Sequence, residues 1–266
     1  MLIHSVPQQH GALTRRAPAL PAGCRALSLL AAEVLDAPVR EIEVASANGD
    51  RDGRIAHHAA LTTNFKAQRT ALSEAAGPVL TIGGDCSVEL APLEAARRRH
   101  GARLTALWFN AHADLNTPET SPSGAFHGMV LRAAFGDGDQ ALVADPPLAK
   151  WQVALFGVRN LDAAEQELLP IIRHTSLDGP RELYLHIDLD VLDPAEFSGL
   201  NCPEPGGLTI EELAAAIRSL TADASGLRRP IVGAGITECV TADPAELRKL
   251  TPVLEAVGTL LDQERQ

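Results

Sequence analysis

The 266-residue chain is short of positive charge, with 23 Lys and Arg against 34 Asp and Glu, a formal balance of −11. That deficit argues against a nucleic-acid partner and against an anionic membrane surface, both of which are gripped by clustered cations. Cysteine is scarce and scattered: Cys24, Cys86, Cys202 and Cys239 form no CxxC pair, so free thiols are expected rather than a disulfide framework. No apolar run approaches the roughly 18 residues needed to span a bilayer. The N-terminus shows no basic segment leading into an apolar stretch and a small-residue cleavage site, which makes the cytoplasm the expected location. Internal repeats and low-complexity segments are also missing.

What is present is an apolar core and an alternation of elements. Hydrophobic residues make up 45% of the chain, and one domain over residues 1–266 is expected. Short β-rich runs fall near 2–6, 40–45, 78–83, 104–110, 151–157, 182–188 and 230–236. Helical stretches fall near 24–36, 56–76, 87–100, 127–135, 162–169, 210–221 and 245–263. Runs such as 104–110 and 183–188 are almost continuously apolar, the pattern of strands covered on both faces. The expected fold is α/β, a three-layer α/β/α sandwich around a mostly parallel sheet.

Polar residues cluster where four of these strands end: Gly83-Gly84-Asp85-Cys86-Ser87, Asn110-Ala111-His112-Ala113-Asp114, His186-Ile187-Asp188-Leu189-Asp190 and Thr237-Glu238. Taken singly, each reads equally well as a strand running into a polar loop, with Asp85 or Ser87 as a helix cap. Side chains spaced two apart on a strand share a face, so two such ends side by side make a cup of imidazole and carboxylates suited to a hard cation. Asn110 is the anomaly in that cup, a neutral amide. Ligands bind beyond the carboxyl ends of strands in open α/β sheets, so the Pro- and Gly-rich loops 115–124 and 193–207 are the expected pocket walls.

The motifs GGDCS, NAHADLNTP, SGAFHG, DLDVLDP and GITE, in this order from about residue 78 to 240, resemble the ureohydrolase family of arginase, agmatinase and formiminoglutamase. The resemblance implies two Mn²⁺ ions held by Cys86, Asn110, His112, Asp114, Asp188 and Asp190. Cys86 stands where the family usually has His, and Asn110 where it has a bridging Asp. The implied catalytic residues are His127, which shuttles a proton, Glu238, which holds the guanidinium group, and Asp114. Read from the residues alone, His127 is equally a helix-start residue, Glu238 a surface ion-pair partner and Cys86 a small buried apolar group. An Asn offers one neutral oxygen where a carboxylate offers two anionic ones, and a thiolate at Cys86 restores part of the lost charge.

The resemblance also implies the substrate. Asn116, Ser121 and Ser123 match positions that bind an α-carboxylate, and Asp162 and Glu165 match carboxylates facing an α-amino group; Asp162 also suits a helix cap. The partner is therefore a small amino acid with a guanidine-like tail. The altered metal residues resemble the hydroxyarginases of antibiotic biosynthesis, which implies Nω-hydroxy-L-arginine as substrate, cut to L-ornithine and hydroxyurea. L-arginine hydrolysis and a metal-poor, non-catalytic amino-acid binder are the competing readings. The oligomeric state is left open between a monomer and a homo-oligomer.

Overall fold

Strands that are apolar on both faces must be covered on both faces, and that requirement builds this molecule. The computed structural model describes residues 1–46, 49–172, 181–221 and 229–262. In chain order the strands are β1 (Leu2–Val6), β2 (Val39–Glu41), β3 (Arg51–Asp52), β4 (Ile55–Ala56), β5 (Val79–Gly83), β6 (Leu104–Phe109), β7 (Val153–Phe156), β8 (Glu182–Asp188) and β9 (Ile231–Thr237). The helices are α1 (Leu20–Leu35), α2 (His58–Ser73), α3 (Leu90–His100), α4 (Val130–Ala134), α5 (Ala163–Ile172), α6 (Ile210–Arg218), α7 (Pro244–Arg248) and α8 (Thr251–Asp262).

Seven strands form one sheet in the order β2-β1-β5-β9-β8-β6-β7, every pairing parallel. Strand β6 is buried at all six positions. Its Leu107 and Phe109 pack with α1, α6, α7 and α8 in one core, while Leu104, Ala106 and Trp108 pack with α2, α3 and α4 in the other. This is the three-layer α/β/α arrangement expected from the sequence.

Local chemistry sets several boundaries. Helix α6 opens on a capping box, Thr209 accepting from the Glu212 amide and Glu212 accepting from the Thr209 amide. Asp243 caps α7 ahead of Pro244. The expected helix 245–263 divides into α7 and α8, because Pro252 fits the first turn of a new helix but not the interior of a continuous one; its residue 263 lies outside the described residues. The strand expected over 40–45 shortens to exposed β2 at the sheet edge. Residues 51–56 form a small antiparallel hairpin, β3 with β4, that takes the start expected for the second helix.

A further departure concerns membranes. The continuous helical segment Ala17–Leu35 is long and apolar enough, by length and composition, to cross a bilayer, which the reading of short apolar runs did not foresee. In this fold its Leu20, Cys24, Leu27 and Ala31 are buried, with Cys24, Leu27 and Ala31 packed in the core against β1 and β5.

Gly84, just beyond β5, joins the sheet to the N-terminal loop. Its amide donates to the Val6 carbonyl and its carbonyl accepts from the Glu238 amide. A Cβ here would lie 1.7 Å from the Gln8 carbonyl oxygen, so Gly84→Ala forces backbone apart. Overpacking of this kind costs about 1–3 kcal/mol. Chemical denaturation should show that loss with an unchanged m-value; a variant as stable as the parent would contradict the packing.

Candidate metal and substrate site

The four polar strand ends belong to β5, β9, β8 and β6, which are consecutive neighbours in the sheet. Parallel pairing places all four carboxyl ends at one edge, so residues 152 positions apart meet: the Cys86 amide donates to Glu238 Oε1 at 2.8 Å. The cup is not made by strand alternation as the sequence suggested. Strand β6 stops at Phe109 and β8 at Asp188, and turns bring the later residues back. The Asp188 carboxylate accepts from the Asp190 amide at 2.8 Å. Asp190 in turn accepts from the Ala111 amide at 2.9 Å and lies 2.8 Å from His112 Nδ1.

Asn110 is fully buried and both ends of its amide are engaged. Oδ1 accepts from the His112 amide at 2.6 Å, and Nδ2 donates to Asp114 Oδ2 at 2.8 Å. The two bonds together fix which end is oxygen. The structure therefore uses Asn110 as the clasp of the turn that aims Asp114 inward. Asp114 itself holds φ +53°, and Glu238 φ +70°. Non-glycine residues in this region carry strain of about 1–3 kcal/mol each, and such strain gathers at functional sites.

Cys86 lies at the floor, its thiol donating to Asp188 Oδ2 at 3.0 Å, with Thr237 Oγ1 at 3.1 Å and His186 Nε2 at 3.8 Å. Glu238 is 1% exposed, so it is no surface ion-pair partner. Besides Cys86 it accepts from Asn201 Nδ2 at 2.7 Å, and its Oε1 lies 3.1 Å from His127 Nδ1. His127 does open a helical turn, and its imidazole also enters the site.

Burial governs the charges. Desolvation, with Asp190 and Glu238 nearby, holds the Asp188 carboxyl well above its usual range. Burial pushes Asp114 up to about 8, although His112 and His127 pull against it. Burial disfavours a charged His112 ring, yet Asp190 overrides that and raises it to about 9; Glu238 does the same for His127, also to about 9. The Cys86 thiol is raised first by burial and then by Asp188, Glu238 and Asp114. Glu238 alone is lowered, because His127 outweighs its burial.

Two overlapping groups have donor atoms within 4.8 Å of one another, Cys86 with Asp114 and His186, and Cys86 with Asp188 and Glu238. Crowded buried carboxylates that resist ionisation are the donor set a divalent cation fits, since its charge reverses their pKa logic and deprotonates a coordinating thiol.

Above the floor lies a cleft of about 160 Å³. Its walls include His112, Asp114, Asp188, Asp190 and His127, together with all five sequence-identified substrate residues, Asn116, Ser121, Ser123, Asp162 and Glu165. Cys86, Asn110 and Glu238 are behind the wall rather than on it. Asn116 donates to Asp162 at 2.8 Å. Ser121 and Ser123 accept from the Gly124 and Ala125 amides, leaving their hydroxyl protons to donate. Glu165 accepts from the Leu115 and Asp162 amides, so it braces the wall. A larger open cleft of about 640 Å³ lies elsewhere, beside α1, and no carboxylate lines it.

Sequence reasoning missed four residues here. Cys202 lines the cleft, within the loop 193–207 already read as a wall, and Asn201 anchors Glu238. His186 and Glu89 lie under the floor; His186 was visible in the HIDLD run but not as part of the cup.

The arginase family model matches residues 19–175 and 170–242. The chain belongs to the arginase family. An arginase from Bacillus caldovelox is 35% identical over 170 residues, covering 53% of this chain and 56% of that protein, so the chain spans about half the length of the curated relatives it matches. The native crystal structure of arginase from the same organism superposes with a TM-score of 0.81 at 26% identity, over 98% of this chain and 97% of that one. Arginase from Entamoeba histolytica, solved with L-ornithine, superposes with a TM-score of 0.79 over 97% of both chains; at 22% identity this likeness bears on the fold alone.

The titrations make stability depend on pH. Asp114, raised from 3.8 to about 8, and His127, raised from 6.5 to about 9, bind more protons folded than unfolded between those limits. Stability then falls as pH rises through the window both share, pH 6.5 to 8. Calorimetry of the metal-free protein should show Tm dropping across that window and Mn²⁺ reversing the drop; a Tm that is flat or rises contradicts the assignment.

Proposed function

We propose that this chain, acting as one domain, hydrolyses the guanidino group of an arginine-like α-amino acid, with Nω-hydroxy-L-arginine as the substrate and L-ornithine and hydroxyurea as products. One observation carries the reading: the cup carboxylates Asp114, Asp188 and Asp190, and His127 with Glu238 behind it, meet the same cleft that Asn116, Ser121, Ser123 and Asp162 line. Agmatine has no α-carboxylate, so the amide and hydroxyl donors of that wall would be left without a partner on it.

In this reading Cys86, His112, Asp114, Asp188 and Asp190 would hold two Mn²⁺ ions, with Asn110 closing the turn that orients Asp114. The ions supply Lewis acidity and activate water at neutral pH. Asp162 faces the α-amino group, and the Ser121 and Ser123 hydroxyls donate to the α-carboxylate. Glu238 keeps His127 charged, which readies its ring to give a proton to the departing amine. The Asn110 amide withholds one negative charge from the cup, and an ionised Cys86 returns it. An N-hydroxyguanidine is less basic than arginine and brings an extra oxygen, which suits a retuned metal pair.

L-arginine is the second reading, favoured by the arginase names of the sequence relatives. The ratio of kcat/KM values decides between them: Nω-hydroxy-L-arginine should exceed both L-arginine and agmatine, and arginine ahead overturns the choice. Metal analysis of protein grown with excess Mn²⁺ should count two ions per chain; one or none sinks the paired exchange at Cys86 and Asn110. His127→Asn should lower kcat by about 10²–10⁴-fold, the contribution of a positioned proton donor, with metal content unchanged.

A further inference from the structure

Beneath the cup, strand β8 places Tyr184, His186 and Asp188 on one face, spaced two apart. His186 is completely buried. Its ring stacks on Trp108 at 3.5 Å between centroids and 24° between planes. Nδ1 lies 3.3 Å from Glu89 Oε2, within ion-pair reach but off the hydrogen-bond line, so Nδ1 and Glu89 Oε1 are both left without a hydrogen-bond partner. Glu89 is 0% exposed and takes a 2.9 Å hydrogen bond from the Tyr184 hydroxyl. The opposite ring nitrogen, Nε2, points at Cys86 Sγ, 3.8 Å away.

This slot is built into the sheet. Gly235 pairs with His186 in the β8–β9 register, and a Cβ there would lie 2.1 Å from Glu89 Oε1. The sheet gives up a side chain at that position, and a buried carboxylate stands behind an imidazole. Burying both together makes sense when the outward nitrogen has a cation to bind: a metal-ligating histidine generally presents its other nitrogen to a carboxylate, which fixes the ring and strengthens the ligand.

The donor spacing agrees. Bonds of about 2.3 Å to sulfur and 2.0–2.1 Å to nitrogen at a tetrahedral angle put the two donors roughly 3.5 Å apart, close to the 3.8 Å observed. A carboxylate oxygen of Asp114 completes the group, all three donor atoms falling within 4.8 Å of one another.

Building on the proposed metal-dependent reading, we propose that His186 is itself a metal ligand, completing with Cys86 and Asp114 a buried sulfur–nitrogen–oxygen position at the floor of the cup, with Glu89 and Tyr184 as its supports. Sulfur and nitrogen donors make this position softer than the oxygen-rich side formed by Asp188 and Asp190, and favour a borderline cation such as Co²⁺ or Zn²⁺.

Co²⁺ is the probe that tests it, added to the metal-free 266-residue chain. Near-ultraviolet absorption should show a sulfur-to-cobalt band. Proton NMR should show a far-shifted, solvent-exchangeable ring N–H signal that disappears in His186→Gln and persists in His112→Ala. Glu89→Gln should keep that signal while weakening Co²⁺ affinity by about 10–100-fold, as expected for a carboxylate behind a ligand. Should His186→Gln fail to fold, the His112→Ala/His127→Asn chain carries the test, because a shifted N–H surviving there comes from the third imidazole at the cup. Bound cobalt with no such signal, or with signals unchanged by His186→Gln, overturns the assignment of His186 alone. A wild-type chain that takes up neither Co²⁺ nor Mn²⁺ overturns the metal-dependent reading as well.

Discussion

Everything at the carboxyl edge of the sheet follows from the mutual repulsion of buried acids. Asp114, Asp188, Asp190 and Glu238 are all 5% exposed or less, and neither Lys nor Arg lines the cleft they serve. Burying like charges without a counter-ion is among the most unfavourable things a fold can do. The protein meets the problem partly with protons, holding Asp114 and Asp188 toward their neutral forms. It also recruits two imidazoles, His112 against Asp190 and His127 against Glu238. What those do not neutralise is left for a cation, and the surrounding backbone is shaped to hold the arrangement under strain.

Much of this was legible in the sequence because parallel sheets place strand ends together. Four polar clusters after four apolar runs could meet only if the runs were sheet neighbours, and β5, β9, β8 and β6 are. Three substrate-side residues were legible through one ungapped loop and two through the segment after β7, and all five line the cleft. Less legible was the means of convergence. Period two suggested strands continuing through Asp114 and Asp190, whereas turns do the work and Asn110 spends its amide closing one of them. A sequence shows that Asn110 is neutral but not that both ends of its amide are occupied. Nor does it show Glu89, twenty residues before the end of β6 in sequence order and buried beneath His186, because nothing in a helical segment announces a carboxylate turned under the sheet.

Three residues that look independent along the chain turn out to be coupled in space. A cysteine is smaller than a histidine, so Cys86 at the end of β5 leaves room above His186, whose ring points into it from β8. The imidazole that the family resemblance leads one to expect at position 86 thus has a counterpart one strand further on but one. Asn110 belongs to the same adjustment from the other side: it removes a charge, while its Nδ2 steadies Asp114, a carboxylate within 4.8 Å of that thiol–imidazole pair. Changing any one of them alone alters the charge or the space the other two were fitted to, so their substitutions are not expected to add.

The walls matter as much as the floor. Arg159, in the loop after β7, is not among the ion pairs seen with these acids in the described residues. Its guanidinium instead donates to the backbone carbonyls of Asp190, Glu204, Pro205 and Gly157, at 2.7, 2.7, 3.1 and 3.1 Å. Five fixed N–H donors make arginine suited to gathering several carbonyls at once. Those bonds pin the loop bearing Cys202 and Glu204 against the end of β8, and Asn160 adds a 2.8 Å bond to Glu204. A lysine could neutralise but could not stitch three chain segments together in this way. By satisfying this arginine with carbonyl oxygens rather than carboxylates, the fold braces the cleft wall and leaves the buried acids unpaired with its charge.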